Sequence, residues 1–155
     1  MIRFIALALS LAAAPVFAGE ITVEDAYARA SRPGAPTGAM FMTIRNSSDT
    51  TDRLLAAQSP VAQLVELHTH IDDNGIMRMR PVEDGFEIPA DGEHMLMRGG
   101  DHVMLMGLTQ PLEDGKTVPL TLVFQNAGEI SVDVIVDNSR QQGQHGMGHG
   151  MGQGN

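Results

Sequence analysis

Hydrophobic and polar residues alternate along most of this chain in short runs, without the longer period of a helix. Alternation over about four to eight residues is typical of strands with one buried face. Pro, Gly, Asn and Asp separate the runs, as expected for turns. The pattern predicts ten strands, at residues 21–30 (with a kink), 39–45, 53–58, 65–70, 77–82, 86–88, 94–97, 102–106, 118–124 and 130–136.

Two segments between these runs have clear turn chemistry. Residues 31–38, SRPGAPTG, contain two prolines and two glycines and are predicted to form a loop. Asp72-Asp73-Asn74-Gly75 predicts a hairpin between the fourth and fifth strands. Many short strands with frequent turns indicate an all-β fold, a sandwich or small barrel, which we place in one domain at residues 19–138.

The two ends of the chain differ from this domain. Residues 1–18 combine Arg3, an apolar run and the small-residue pattern Val16-Phe17-Ala18, which predicts a secretory signal peptide. The apolar run is too short for a membrane span, and the alternative is a buried N-terminal helix. Residues 139–155 are rich in Gln and Gly and are predicted to be a disordered tail.

Composition excludes several classes of function. The formal charge is −9, and it approaches −10 once Arg3 is removed with the signal peptide, which argues against nucleic acid or an anionic membrane as partner. The chain has no cysteine, so it has no disulfide, no blue-copper centre and no thiol redox chemistry. It has 11 Met and 6 His but only one Tyr and no Trp, an excess of Met that requires an explanation.

The strand at 102–106 offers one explanation. Side chains alternate along a strand, so Val103 and Leu105 point one way and His102, Met104 and Met106 the other. Imidazole and thioether without thiolate form a soft ligand set that suits Cu(I). The alternative is an ordinary strand with both methionines in the core and His102 at its edge.

Two further groups flank the predicted hairpin. His68 and His70 share one strand face, and the alternative to a metal site is a pair of partly exposed histidines. Met77 and Met79 follow the turn, and the alternative is that both lie in the core with the neighbouring arginines solvated. We expect the hairpin to place His68 beside Met79 on neighbouring strands.

These groups predict a metal site if the 102–106 strand lies beside the hairpin at the same end of the sheet. His68, Met79, His102 and Met104 would then supply two imidazoles and two thioethers. Zinc prefers Cys, His or carboxylate, and calcium and magnesium prefer oxygen, whereas Cu(I) accepts this set.

The tail carries a second candidate group. Its His and Met residues alternate with glycine, so packing in a core does not explain them; they are His145, Met147, His149 and Met151. Imidazole suits Cu(II) and thioether suits Cu(I), so we expect the tail to bind either ion, more weakly below about pH 6.5. The alternative is neutral low-complexity sequence.

The chain also resembles the periplasmic copper chaperones called PCu(A)C. Their pattern is His, ten residues, Met, some twenty residues and His-x-Met, which falls here on His68, Met79, His102 and Met104 with 22 residues in the second gap. The surrounding segments match too, namely PGAPTGAMFMTIRN at 33–46, VELH at 65–68, GIMRMR at 75–80, DHVMLMGL at 101–108 and VPLTLVF at 118–124.

The resemblance implies a cupredoxin-like Greek-key fold and a periplasmic metallochaperone rather than an enzyme. Such a protein holds Cu(I) and passes it to the copper centre of cytochrome c oxidase subunit II, directly or with a Sco-type thiol protein. His/Met-rich tails occur in part of the family and are associated with extra copper, including Cu(II). One alternative is a copper-sequestering buffer with the tail as its reservoir, and another is a structural β-domain. His70, His94 and Met106 receive no role.

Overall fold

The computed structural model describes residues 20–141. The predicted signal peptide and the His and Met residues of the tail therefore lie outside the described residues. The described part contains ten strands, which are β1 (Ile21–Ala30), β2 (Thr37–Asn46), β3 (Asp52–Gln58), β4 (Ala62–Asp73), β5 (Ile76–Pro81), β6 (Phe86–Ile88), β7 (Gly92–Leu96), β8 (His102–Leu108), β9 (Thr117–Phe124) and β10 (Gly128–Val136). The predicted all-β class is confirmed. Within residues 20–141, no helix could cross a membrane.

The ten strands form one sheet. Its order is β5-β4-β8-β2-β1-β10-β9-β3-β6, and β7 pairs with β2 beyond the part of β2 that pairs with β8. β1 and β10 are parallel, whereas the other recorded pairs are antiparallel. Because β3 also contacts β4 and β6 contacts β7, the sheet curves back on itself and encloses a core.

The core consists mainly of aliphatic side chains from the inner face of this curved sheet. Met40, Ile44, Leu105 and Leu120 are among the largest side chains that are almost fully buried. Met42 is only 3% exposed. Part of the methionine excess therefore serves packing, as the flexible thioether side chain fills irregular gaps well.

The kink predicted in the first strand is present. Asp25 has a φ of 54°, and the pairing of β1 with β2 shifts between Glu24 and Tyr27. Such a bulge inserts one extra residue and reverses which face the following residues occupy. Tyr27 then pairs with Phe41, and Arg29 pairs with Ala39.

The predicted hairpin is also present, as the connection between β4 and β5. Asn74 and Gly75 both have positive φ, 56° and 84°, as a two-residue primed turn requires. The loop of two residues pairs Asp73 with Ile76 and fixes the register of the whole hairpin.

This register corrects one expectation from the sequence. His68 lies opposite Pro81, and Met79 lies opposite His70. The expected direct pairing of His68 with Met79 is wrong, because a loop that consists only of residues 74 and 75 places Met79 two residues nearer to the turn. His68 and Met79 still share one face of the sheet, as diagonal neighbours.

Contacts with the domain extend two residues past its predicted boundary at residue 138. The Arg140 guanidinium lies 4.2 Å from the centre of the Tyr27 ring and forms an ion pair with Asp25. Ser139 hydrogen-bonds the Asp137 carboxylate through its hydroxyl, at 2.8 Å. The tail predicted to start at residue 139 therefore begins with two residues bound to the domain, because a cation over a buried aromatic ring is a stabilising contact.

Candidate metal centre

The candidate metal centre depends on the alternation of side chains between the two faces of β8. Val103 and Leu105 are fully buried on the core side, whereas Met104 lies on the opposite face and lines an open pocket. His102 is also on that face, but it is only 2% exposed. Met104 is therefore not in the core, contrary to the alternative interpretation, whereas His102 is the first residue of β8 and lies at the end of the strand as that interpretation expects.

Three imidazoles meet where β8 pairs with β4. His68 lies directly opposite His102, with ring centres 5.9 Å apart. His70, one position further along the same face of β4, has its ring centre 5.3 Å from that of His102. With imidazole nitrogens at about 2.0–2.1 Å from a metal, two rings sharing one ion have centres roughly 5–6 Å apart. Both pairs of rings satisfy this distance.

The methionines of β5 are exposed. Met77 is 57% exposed and Met79 is 49% exposed, so the alternative that both lie in the core is wrong. All six residues of β5 are exposed, since β5 is an edge strand with a neighbour on one side only. Met79 is therefore a thioether within reach of solvent.

A pocket of about 340 Å³ connects these side chains. Met79, His102 and Met104 line it, together with His70. The structure thus brings together three of the four predicted domain ligands and adds a histidine that had no assigned role. The sequence held a signal for His70, because it shares a strand face with His68. His68 is not among the lining residues.

One backbone carbonyl fixes the orientation of two of the rings. Gly100 O lies 2.9 Å from His102 Nδ1 and 3.1 Å from His70 Nδ1. A carbonyl oxygen only accepts hydrogen bonds, so both Nδ1 atoms donate, and in the neutral rings Nε2 keeps its lone pair. This is the usual arrangement of a metal-binding histidine, whose other ring nitrogen is held by a hydrogen bond.

Burial also favours the neutral form of His102. Desolvation lowers the pKa of this ring below its ordinary value of 6.5, and the nearby His70 and His68 act in the same direction. The hydrogen bond to Gly100 and the charge of Asp101 oppose the shift without reversing it. A neutral ring is the form that binds metals, so protons compete less for His102 than for an exposed imidazole.

His68 presents an unused lone pair. Its Nε2 lies 2.9 Å from Glu66 Oε2, and because a carboxylate only accepts, Nε2 donates and the neutral ring leaves Nδ1 as an acceptor. That Nδ1 is buried and is the only buried side-chain nitrogen or oxygen in the described part without a hydrogen-bond partner. An unsatisfied buried polar group costs about 1–3 kcal/mol, and a bound metal ion would relieve this cost.

The donor set indicates which metals the centre suits. Met79 and Met104 line the pocket beside His70 and His102. A combination of thioether and imidazole favours Cu(I) over zinc or calcium. The residues present thus fit a soft monovalent ion.

Two residues left without a role have other surroundings. His94 Nε2 lies 2.9 Å from Asp101 Oδ2, and its ring stacks on Phe86 with centres 5.1 Å apart. These contacts tie β7 to the turn before β8, which is a structural role. Met106 lies between Leu64 and Thr37 on the outer face and is not among the residues lining the pocket.

Arg29 and Arg98 also line the pocket, and sequence reasoning did not identify them. Arg29 reaches it because β1 pairs with β2, and Arg98 because the chain turns between β7 and β8. No spacing in the sequence relates these arginines to the histidines or methionines.

Comparison with known sequences identifies the family. The family described as "Putative lipoprotein LpqE-like" matches residues 21–136. A curated protein, "Putative lipoprotein Lxx21020" of Leifsonia xyli subsp. xyli (strain CTCB07), is 34% identical over 116 residues, which cover 75% of this chain and 69% of that protein. The lipoprotein family indicates an exported protein.

Solved structures with the same fold include a PCuAC domain and a Cu(I)-bound protein. The apo PCuAC domain from PmoF1 matches with a TM-score of 0.65 and 27% identity, over 77% of this chain and 95% of that domain. The solution structure of CuI-DR1885 from Deinococcus radiodurans matches with a TM-score of 0.58 and 34% identity, over 80% and 84%. Its sequence and its fold together show that this chain belongs to the LpqE-like family of PCu(A)C copper chaperones.

Proposed function

We propose that this protein is a periplasmic chaperone that binds one Cu(I) through His68, Met79, His102 and Met104. It passes the ion to the copper centre of cytochrome c oxidase subunit II, directly or with a Sco-type thiol protein. The observation that carries the proposal is the buried, unpartnered Nδ1 of His68 beside His102. Family membership and the copper-bound relatives add support.

His68 and His70 are both candidates for the nitrogen ligand that joins His102. The hydrogen bonds favour His68. Its Nδ1 is buried without a partner, and Glu66 holds the opposite ring nitrogen, so binding an ion removes an existing cost. His70 lines the pocket, and Gly100 orients its ring as it orients His102, but His70 has no buried nitrogen without a partner. We assign His70 to the pocket wall, where it can enter the copper shell while another ligand leaves.

Transfer proceeds by ligand exchange. Of the four proposed ligands, Met79 is the most exposed, at 49%, and lies on an edge strand, whereas His68 and His102 are buried. A ligand of the acceptor therefore reaches copper first from the Met79 side. No covalent step is required, because one thioether is replaced by one ligand of the partner while Cu(I) keeps its oxidation state.

A Cu(I) titration against a chromogenic chelator tests the proposal. We expect one tightly bound Cu(I) per chain truncated after Gln141, and X-ray absorption with both sulfur and nitrogen neighbours. The truncation retains Arg140, since this residue is bound to the domain. A copper shell without sulfur would contradict the assignment of Met79 and Met104.

Glu66 should act through His68. Replacing Glu66 with Gln keeps a similar shape but removes the carboxylate that holds Nε2. We expect Cu(I) affinity to fall by about 10–100-fold, as is common for carboxylates that orient a ligating histidine. Glu129→Gln, which replaces a glutamate on β10, is the matched control and should leave affinity unchanged. Equal affinities for both variants would show that His68 is not oriented by Glu66 for copper.

The tail prediction concerns Cu(II). Removing residues 142–155 deletes both tail imidazoles, the ligands that suit Cu(II). We expect calorimetry to show loss of a weaker Cu(II) site and an unchanged Cu(I) site in the domain. Equal Cu(II) binding by both chains would show that the tail is not the site. Binding of several copper ions by the full chain, without faster delivery to an acceptor, would favour the buffering function.

A further inference from the structure

The charges around the pocket contrast with those of the chain as a whole. The chain has 19 acidic and 10 basic residues, yet Arg29 and Arg98 line the pocket and none of the described lining residues is Asp or Glu. Positive charge beside a cation site weakens attraction for free cations. An anionic group entering the pocket is attracted instead.

A third guanidinium lies beside this pair. Arg140 rests on the Tyr27 ring, and its carbonyl oxygen accepts a hydrogen bond from Arg29 Nη1 at 3.4 Å. Burial raises the pKa of Tyr27, and the positive charges of Arg140, Arg98 and Arg29 oppose that rise. Tyr27 packs on Phe41, which lines the pocket.

Three carboxylates lie on strands or turns beside the pocket without lining it. Glu66 contacts His68, and Asp101 contacts His94, each at 2.9 Å. Asp25 forms an ion pair with Arg140, so it reduces the positive charge on that side only. The pocket rim of Arg29, Arg98 and Arg140 therefore owes its positive charge to Arg29 and Arg98, the two arginines that line the pocket.

The pocket also has room and apolar surface for a partner. Its volume of about 340 Å³ exceeds what a single ion occupies and lies within the range of roughly 300–1,000 Å³ that binding pockets have. Met77, Met79 and Met97 are each 44–57% exposed, two of them on β5 and one in the turn before β8. Exposed methionines make an adaptable contact surface.

We propose that the pocket rim is the docking surface for a negatively charged face of the copper-exchange partner, which inserts its copper ligand beside Met79. This inference rests on the proposed transfer function. The acidic remainder of the domain repels such a partner, and the rim attracts it, so the charges select the orientation in which the two sets of ligands meet. The rim thus allows the protein to bind an acidic partner although its own net charge is negative.

Two synthetic acceptor peptides test this docking surface. Both carry the same pair of cysteines, which bind Cu(I), flanked by Asp and Glu in one and by Lys in the other. We expect the copper-loaded full chain to transfer Cu(I) about tenfold faster to the acidic peptide at low salt. The difference should shrink as added salt screens the charges. Net charge alone predicts the opposite order.

Arg98→Glu should abolish the preference for the acidic peptide, and Arg98→Gln should reduce it. Arg53→Glu is the matched control, because it makes the same charge change on β3, beside Glu87 and away from the pocket. Equal transfer to both peptides, faster transfer to the Lys peptide, or equal loss in the Arg53 variant would overturn the proposal.

Binding of fluorescent acidic peptide to the copper-free chain separates this proposal from the proposed function. If Cu(I) binding fails but the acidic peptide still binds and Arg98→Glu prevents it, the docking surface stands and the copper assignment is wrong. If Cu(I) binds to one site but the peptide preference is absent, the copper assignment stands and the docking surface is wrong.

Discussion

Met104→Leu should lower the Cu(I) affinity of the domain by at least 10–100-fold while leaving its stability nearly unchanged. Replacing a residue that only orients a metal ligand typically lowers metal affinity by about 10–100-fold. Because Met104→Leu removes the ligand itself, the loss of affinity should be at least as large. Leu and Met have similar volumes, so such exchanges typically cost less than about 1.5 kcal/mol. Competition with a chromogenic Cu(I) chelator measures the affinity, and thermal unfolding measures the stability.

The same strand supplies the matched control. Met106 lies two residues further along β8 on the same face, but it does not line the pocket. Met106→Leu should therefore leave Cu(I) affinity unchanged. If both variants bound Cu(I) as tightly as the wild type, Met104 would not be a ligand. If Met104→Leu lowered stability alone, the residue would have a packing role.

The sequence predicted the strands well because one face of the sheet is buried. On β8, alternation separated Val103 and Leu105 from His102 and Met104, and the structure places them on opposite faces. The signal is strong because apolar burial requires one residue type at every second position. Asn74-Gly75 also predicted the hairpin, since few residues adopt positive φ at both positions of a two-residue turn.

The register of the hairpin can be predicted from its two-residue loop, and the expectation drawn from the sequence differs from it. A loop of residues 74 and 75 pairs Asp73 with Ile76 and therefore His70 with Met79. The expectation that Met79 lies beside His68 is inconsistent with a loop of this length. Diagonal neighbours on one face can still share an ion, because their roughly 7–8 Å separation is within reach of aromatic and long side chains.

The remaining features of the centre depend on contacts distant in sequence. Arg29 and Arg98 meet at the pocket through β1 and the turn before β8, and Gly100 O accepts bonds from two histidines, one of them 30 residues away. The burial of His68 and its unpartnered nitrogen appear only once β4 lies beside β8. Local sequence patterns carry no information about contacts between residues that are distant in sequence. The curvature of the sheet determines these contacts.

The second large effect is on stability, at the residue next to Met104. Leu105 is fully buried among the core side chains. Leu105→Ala should lower the free energy of unfolding by about 2–5 kcal/mol, because it removes buried methyl groups and leaves a cavity. Cu(I) affinity of the folded protein should change little, since Leu105 points away from the pocket. Urea unfolding and chelator competition measure the two quantities.

Leu64→Ala is the matched control for this variant. Leu64 is 50% exposed and lies on the outer face of the neighbouring strand β4, so its truncation should cost less than about 1 kcal/mol. Together with Met104→Leu, the two leucine variants separate the roles of the faces of one sheet. A Leu105 variant with normal stability and weakened Cu(I) binding would show that the two faces are exchanged, which would contradict both the core and the copper site described above.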